Sequence, residues 1–234
     1  MEITGTVHLL FEQSGIFTTE FRLLGFRAIS YDICDDFGQT DNKIDIFKQI
    51  YRASEKRSSM FDNMSPDDLL IAFFPCTYFS SMNYTFFQGI NAKWKGLTQL
   101  EKLKRIEGRA IARQYYYMTL LKLLQLVEDR SLRLIVENPY KDNYLVRNLP
   151  YKPVVELNRR IRGDVYTKPT MYYFINCEPS HLCTIQLNKP KKYIKYTNGD
   201  TLERSIISAD YARNFINDYV LGRKTERTQP TLFS

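Results

Sequence analysis

The stretch "TVHLLFEQSGIFTTEFRLLGFRAISYDI", residues 6–33, decides the fold. Its first six residues, 6–11, read as a strand. Residues 15–25 carry apolar side chains at Phe17, Phe21 and Leu24, the spacing of one helical face, and Gly25 supplies a stop. Residues 27–33, "RAISYDI", read as a second strand. A strand, a glycine-bearing turn, a helix and a second strand make a unit whose strands run parallel, because only a crossover helix returns the chain to the starting end.

The same alternation continues along the chain. A short helix is expected over 45–51, a strand over 67–74, and a long helix over 98–129 interrupted only by Gly108. Strands follow at 131–137 and 171–176, and a final helix at 209–222 ends on Gly222. The fold class is therefore α/β, a mostly parallel sheet with helices on both faces, Rossmann-like in kind. The chain contains no internal repeat, low-complexity segment or clear linker, so residues 1–222 read as one domain and 223–234 as a flexible tail.

With 44% hydrophobic and 25% charged residues, the composition is that of a globular protein, and aromatics are plentiful, with 17 Tyr and 15 Phe. No uncharged apolar run of about 18 residues is present, so no membrane span is expected. The opening "MEITGTVHLLFEQ" carries Glu2 and lacks the basic segment of a signal peptide. Four cysteines (Cys34, Cys76, Cys177, Cys183) without export signals suggest free thiols in a cytoplasmic setting. A net charge of +7 favours an anionic partner such as nucleic acid, though only modestly.

In a doubly wound sheet ligands bind beyond the carboxyl ends of the strands, so those exits are where chemistry is expected. The first strand runs into Phe11–Gly15, a turn that can bring backbone N–H groups to a ligand. The second ends at Asp32, placed to bond ribose hydroxyls or, equally, to serve as a turn aspartate. The third ends at Pro75-Cys76 and the fourth at Glu137-Asn138-Pro139. Where two exits lie side by side, a nucleophilic thiol and a proton-donating carboxyl can face one ligand. The competing reading is an inert packed thiol and a capping or surface carboxylate.

Taken together these motifs resemble the DNA cytosine-5 methyltransferases, in order along most of the chain. Residues 9–33 are similar to the family's opening motif, "FPCTYFS" to its Pro-Cys signature, "VENPY" (136–140) to its Glu-Asn motif and "ERSIISADYARNF" (203–215) to its late motif. Small phage- or prophage-type relatives resemble the chain more closely still through Phe11–Gly15, Pro169–Phe174 and Asn176–Pro179.

The resemblance implies an S-adenosylmethionine-dependent methyltransferase fold in which Cys76 attacks C6 of a cytosine and Glu137 holds and protonates the ring near N3. Asn138 would brace the loop, and one of Arg159, Arg160 or Arg162 would stand in for the family's paired arginines. Phe11 would stack on the cofactor adenine, Asp32 would bind its ribose and Asp45 its amino group, with Glu12, Ser14, Gly15 and Pro75 completing the cofactor site. DNA is the implied partner, its cytosine flipped or single-stranded. Residues 77–96 would form a mobile loop closing over the substrate, with Lys93 and Lys95 near phosphates and aromatics suited to stacking on bases.

The chain departs from that pattern in three ways. Gln13 stands where the opening turn's first glycine belongs, the family's final Gly-Asn motif is missing after Phe215, and the interval between Glu137 and Glu203 leaves no room for a target-recognition domain. A different class therefore stays in view: a non-catalytic protein that keeps the fold and binds DNA, a clamp or a partner. A third variant keeps the chemistry but acts on RNA or free nucleotides. Cys177, His181 and Cys183 do not make a metal site on their spacing, and His8 reads as a core histidine. In the tail, Gln229, Leu232 and Phe233 resemble the peptide with which bacterial replication and repair proteins bind the sliding clamp.

Overall fold

The chain is described by a computed structural model over residues 1–81, 83–90, 92–186 and 206–223. The opening unit forms as the pattern requires: β1 (Val7–Leu10), α1 (Ile16–Leu23) and β2 (Ala28–Asp32). Helix α1 is stopped by its glycine in a specific way. Gly25 adopts φ 88°, its N–H donates to Arg22 O, and Phe26 N–H donates to Phe21 O. That pair of bonds satisfies the last carbonyls of the helix, and the Phe26 ring lies edge-on to Phe21 as the accompanying apolar contact.

After β2 come β3 (Asn42–Lys43), α2 (Ile46–Ser54), β4 (Leu69–Ala72), α3 (Asn83–Phe87), α4 (Gln99–Asp129) and β5 (Arg133–Pro139). The chain continues through α5 (Leu145–Asn148), β6 (Val154–Glu156), β7 (Thr170–Ile175) and α6 (Ala209–Phe215), which runs on into a π-helical segment, Ile216–Leu221. Gly108 does not interrupt α4, whose start is fixed by a capping box between Thr98 and Glu101. No helix among the described residues is long and apolar enough to cross a membrane.

The strands form one seven-stranded sheet in the order β3-β2-β1-β4-β5-β7-β6. Every pairing from β3 through β5 is parallel, and β7 runs antiparallel to both β5 and β6. The order reverses between β1 and β4, so the exits of those two strands flank the crevice where a doubly wound sheet binds ligands. Leu10 is in register with Ala72, and Ala72 with Val136, so the exits of β1, β4 and β5 lie abreast.

Both faces of the sheet are covered. Leu10, Leu70, Ala72, Leu134 and Val136 pack against α2 and the C-terminal half of α4, through residues such as Ile50, Leu120, Leu123 and Val127. Val7, Leu9, Leu69, Ile71 and Ile135 point the other way, onto Phe17 and Phe21 of α1 and Tyr211 and Phe215 of α6. Strands apolar on both faces are what a buried parallel sheet demands. The short edge strands β3 and β6 and the helices α3 and α5 carry too few periodic residues to be read from sequence.

Candidate active site

The site is built where β4 and β5 end. Beyond Ala72, Phe73 stays tied to β1 by its N–H to Leu10 O at 3.0 Å, and the chain then turns through Phe74, Pro75 and Cys76. The Cys76 carbonyl accepts from Phe79 N–H (3.0 Å) and Ser80 N–H (3.1 Å), closing a tight turn just after the thiol. On the neighbouring strand, Glu137 lies one step beyond the Ala72–Val136 pair and is buried, with 7% of its surface exposed. Its Oε1 has no hydrogen-bond partner. A buried polar atom left unpaired costs about 1–3 kcal/mol, so such an atom calls for an explanation.

Asn138 is wholly buried and holds the two exits together. Its Nδ2 donates to Phe74 O at 2.8 Å, while its Oδ1 accepts from Asn143 Nδ2 at 2.8 Å. Asn143 also donates to Pro139 O and accepts from Leu145 N–H, so the carboxamides lock the segment after β5 to the loop carrying Cys76.

Charge at the site converges on the thiol. Burial pushes the Cys76 thiol up, Lys168 pulls it back down, and the Glu137 carboxylate adds to the rise. These influences bring Cys76, Glu137 and Lys168 into one electrostatic neighbourhood. Lys168 is the residue that sequence reasoning missed. It precedes β7, and because β7 is antiparallel its start lies at the same end of the sheet as the exit of β5, where Tyr140 N–H donates to Pro169 O. Nothing in the sequence announces the direction of β7.

The three arginines separate. Arg159 is buried, with Nη2 2.5 Å from Asp164 and its guanidinium 4.6 Å over the Tyr211 ring. Burial works against its charge, but Tyr211, Asp164, Tyr172 and Glu137 together raise its pKa. Its Nε, like Glu137 Oε1, lacks a partner. Arg162 is committed elsewhere, to Glu156 at 2.9 Å and to Asp218. Glu156 in turn accepts from Tyr211 Oη at 2.7 Å, and Tyr211 meets Tyr172 Oη at 2.5 Å. Arg162 thus anchors a buried ionic network beside α6 and is not brought to Cys76. Arg160 is half-buried, and its side chain makes no ion pair among the described residues.

Around β1 and β2 the expected cofactor residues divide as well. Phe11 takes a left-handed conformation, φ 61°, uncommon for a bulky residue, and its ring packs edge-on to Phe47 and Phe74. Asp32 closes β2; burial raises its pKa, opposed by its bonds to the Cys34 and Ile33 N–H groups. Asp45 caps α2 by accepting from Lys48 N–H at 3.0 Å, and its side chain is on the surface. Glu12 is turned inward, accepting from Phe17 N–H at 2.7 Å, Thr18 N–H at 3.3 Å and Thr18 Oγ1 at 2.5 Å. It therefore caps α1, using amides that a ligand would otherwise meet. Gly15 is the N-cap, at φ 68°, with Gln39 so close that a Cβ would clash at 2.8 Å. Ser14 Oγ accepts a long bond from Ile16 N–H, and Gln13 Oε1 accepts from Asp36 N–H at 3.4 Å, bridging to the loop after β2. Pro75 is half-buried between Phe74 and Cys76.

The sequence reads residues 77–96 as a mobile loop; their described residues carry helical structure. They include α3 and a short 3₁₀ turn at Ala92–Trp94, and the rings of Phe79 and Trp94 are buried. Burying those rings stabilises by about 1.5–3 kcal/mol each, which explains why the segment packs down. Arg109 of α4 clamps it further, donating to Thr77 O and Asn83 Oδ1 and lying 4.6 Å over both Tyr78 and Phe86. Lys93 and Lys95 are exposed. The tail residues Gln229, Leu232 and Phe233, and the start of the late motif at Glu203-Arg204, lie outside the described residues. All four cysteines are free, and no cluster of three or more metal-ligating side chains occurs among the described residues.

Comparison with protein-family models gives no match, and neither does comparison with curated proteins.

Proposed function

We propose that the protein is an S-adenosylmethionine-dependent DNA cytosine-5 methyltransferase of the small, phage-type kind, with Cys76 as nucleophile and Glu137 as the acid at the base. The observation that carries this reading is the unpartnered, buried Oε1 of Glu137 at the strand exit next to Cys76. A protein that only needed to fold gains nothing from an orphan carboxyl group there; carrying a proton, it would donate to the ring nitrogen that arrives with the substrate. The sheet's order reversal beside the same exits adds the crevice in which such a ligand binds.

In this reading Cys76 Sγ bonds to C6 of the cytosine, and the displaced C5–C6 electron pair becomes available at C5. Glu137 delivers a proton at N3, relieving charge that builds on the ring. Lys168 favours the thiolate needed for attack, against the burial that opposes it. Asn138 fixes the Phe74 carbonyl and with it the approach of the thiol. S-adenosylmethionine, when bound, would supply an electrophilic methyl group to C5, and loss of the C5 proton to solvent would then expel Cys76 Sγ from C6 and restore the ring. The residues fit that cofactor in part: the Phe11 ring at the β1 exit offers a stacking surface and Asp32 a carboxyl at the β2 exit, whereas Glu12 serves α1 instead.

The reading is tested by methyl transfer from labelled S-adenosylmethionine to cytosine-containing DNA. Incorporation into C5 that disappears in Cys76→Ala supports it; no incorporation on single-stranded or duplex DNA refutes it.

A second reading, a non-catalytic protein retaining the fold, is favoured by the crowded opening turn, where Gln13 and the inward Glu12 occupy positions that would greet a cofactor. It predicts no S-adenosylmethionine binding by calorimetry. A clamp-binding role for the tail stays an extension of either reading, tested by pull-down with a chain ending at Arg223.

A further inference from the structure

The segments leaving the two key strand exits line a cleft. Three residues on from Cys76 and from Glu137 the chain reaches its lining, at Phe79 and Tyr140, and Tyr144 N–H donates to Phe79 O to join the two segments. The cleft encloses about 720 Å³. Tyr84 lines it with an exposed ring, Tyr78 and Tyr144 line it with a guanidinium already over one face of each, and Arg113, Lys141 and Arg147 supply positive charge. None of those three cations is ion-paired among the described residues, and Asp142 is the one acid in the lining. Arg113 is held in place by stacking, 4.4 Å over Phe87 and 4.6 Å over Tyr144, so its charge is fixed without being neutralised.

From this we infer that the cleft is a binding groove for single-stranded DNA, lined by the segments that follow Cys76 and Glu137 in the chain. Two features select a single strand over a duplex. A ring lining a cleft, as Tyr84 does, stacks only on a base whose own face is free, and in a duplex those faces are covered by neighbouring pairs. A volume of this order is that of a small-ligand site, enough for one or two splayed nucleotides but closed to a double helix. The cations then meet phosphates on either side of the stacked bases. The inference depends on the methyltransferase reading only for what the strand is used for; the groove's recognition of the strand is independent of it.

The test is fluorescence anisotropy with a labelled cytosine-containing oligonucleotide, as single-stranded DNA, as the matched duplex and as single-stranded RNA. It uses the full chain carrying Cys76→Ala, so that no adduct contributes. Tyr84, Lys141 and Arg147 are exposed, and substituting them leaves the core untouched. Single-stranded DNA should bind at least tenfold more tightly than the duplex. Tyr84→Ala should weaken it by roughly tenfold, as loss of one base–aromatic stack does. Lys141→Glu and Arg147→Glu should each weaken it and flatten the salt dependence by about 0.7 in log–log slope. Equal or tighter duplex binding, tighter RNA binding, or wild-type affinity in all three variants would overturn the inference. Strand binding with no methyl transfer by the same chain retaining Cys76 would refute the enzyme while leaving the groove; methyl transfer by that chain indifferent to the groove variants would do the reverse.

Discussion

Asn138 Nδ2 donates a 2.8 Å hydrogen bond to the carbonyl of Phe74, joining the exit of β5 to the residue that precedes Pro75-Cys76. Through this bond the strand that carries Glu137 also sets the position of the thiol. A change at Asn138 therefore has two consequences that can be measured separately.

Asn138→Ala removes that bond and deprives Asn143 Nδ2 of one acceptor, where both side chains are buried. Stability should fall by about 1–3 kcal/mol, read from urea unfolding. Methyl transfer should fall further than the lost stability explains, because the surviving folded molecules have a freed Cys76 loop. A variant with full activity would show that the brace is irrelevant to chemistry.

Lys168 and Glu137 should shift Cys76 in opposite senses. Burial raises the thiol's pKa, Lys168 lowers it and Glu137 raises it further. Lys168→Met removes the lowering influence, so the thiolate appears only at higher pH. Glu137→Gln removes a raising influence, so it appears at lower pH. Rates of Cys76 alkylation by iodoacetamide followed against pH, with the other cysteines replaced by Ser, should show the two limbs displaced to either side of wild type. Coincident profiles would place neither group near the sulfur.

Arg162 and Arg109 differ in what they do. Arg162→Ala strands Glu156 and Asp218 in the buried network, and should cost about 3–5 kcal/mol, seen as a large fall in Tm. Arg109→Ala frees Thr77 O and Asn83, beside the turn that carries Cys76, and should lower methyl transfer roughly tenfold with little loss of stability, since Arg109 is only half-buried. Arg109→Lys should not rescue it, because one ammonium cannot reproduce the planar fork that reaches both acceptors.

Glu12→Ala should destabilise α1 rather than abolish ligand binding directly. It removes the acceptor for Phe17 N–H and Thr18 N–H, a cap worth about 1–2 kcal/mol. The burial that raises its pKa also dictates a pH effect. A carboxyl whose folded pKa lies above its unfolded one favours folding most at low pH, and that contribution is lost as pH rises through the folded value. The variant should therefore lack this component of the pH dependence, visible as pH rises above the ordinary carboxylate range.

Much of this architecture is legible in the sequence because the physics is local. Helix α1 is written in Phe17, Phe21 and Gly25, and buried parallel strands in the continuous apolar runs of β4 and β5. The Pro75-Cys76 and Glu137-Asn138 exits are likewise visible, since each polar pair breaks an apolar run. What the residues alone do not reveal is long-range. The orientation of β7 decides that Lys168 joins the site, and it is set by pairing with β5 and β6. The separation of Arg159 from Arg162 is decided by which carboxylates reach each: Asp164 for Arg159, and Glu156 of β6 with Asp218 of the π-helical segment for Arg162. Glu12 reads as part of a ligand turn, yet the left-handed Phe11 swings it inward to cap α1. The segment after Cys76 reads as a loop, yet it folds down because Phe79 and Trp94 find the core.

The central claim is that Cys76 bonds to the C6 of a cytosine. Incubation with S-adenosylmethionine and a single-stranded oligonucleotide carrying 5-fluorocytosine, followed by intact mass measurement, tests it most directly, since fluorine at C5 blocks the proton loss that would release the sulfur. The account predicts a species heavier by the methylated oligonucleotide, mapped to Cys76 and missing from Cys76→Ala. An unmodified mass, with cofactor and oligonucleotide both shown to be bound, would contradict it.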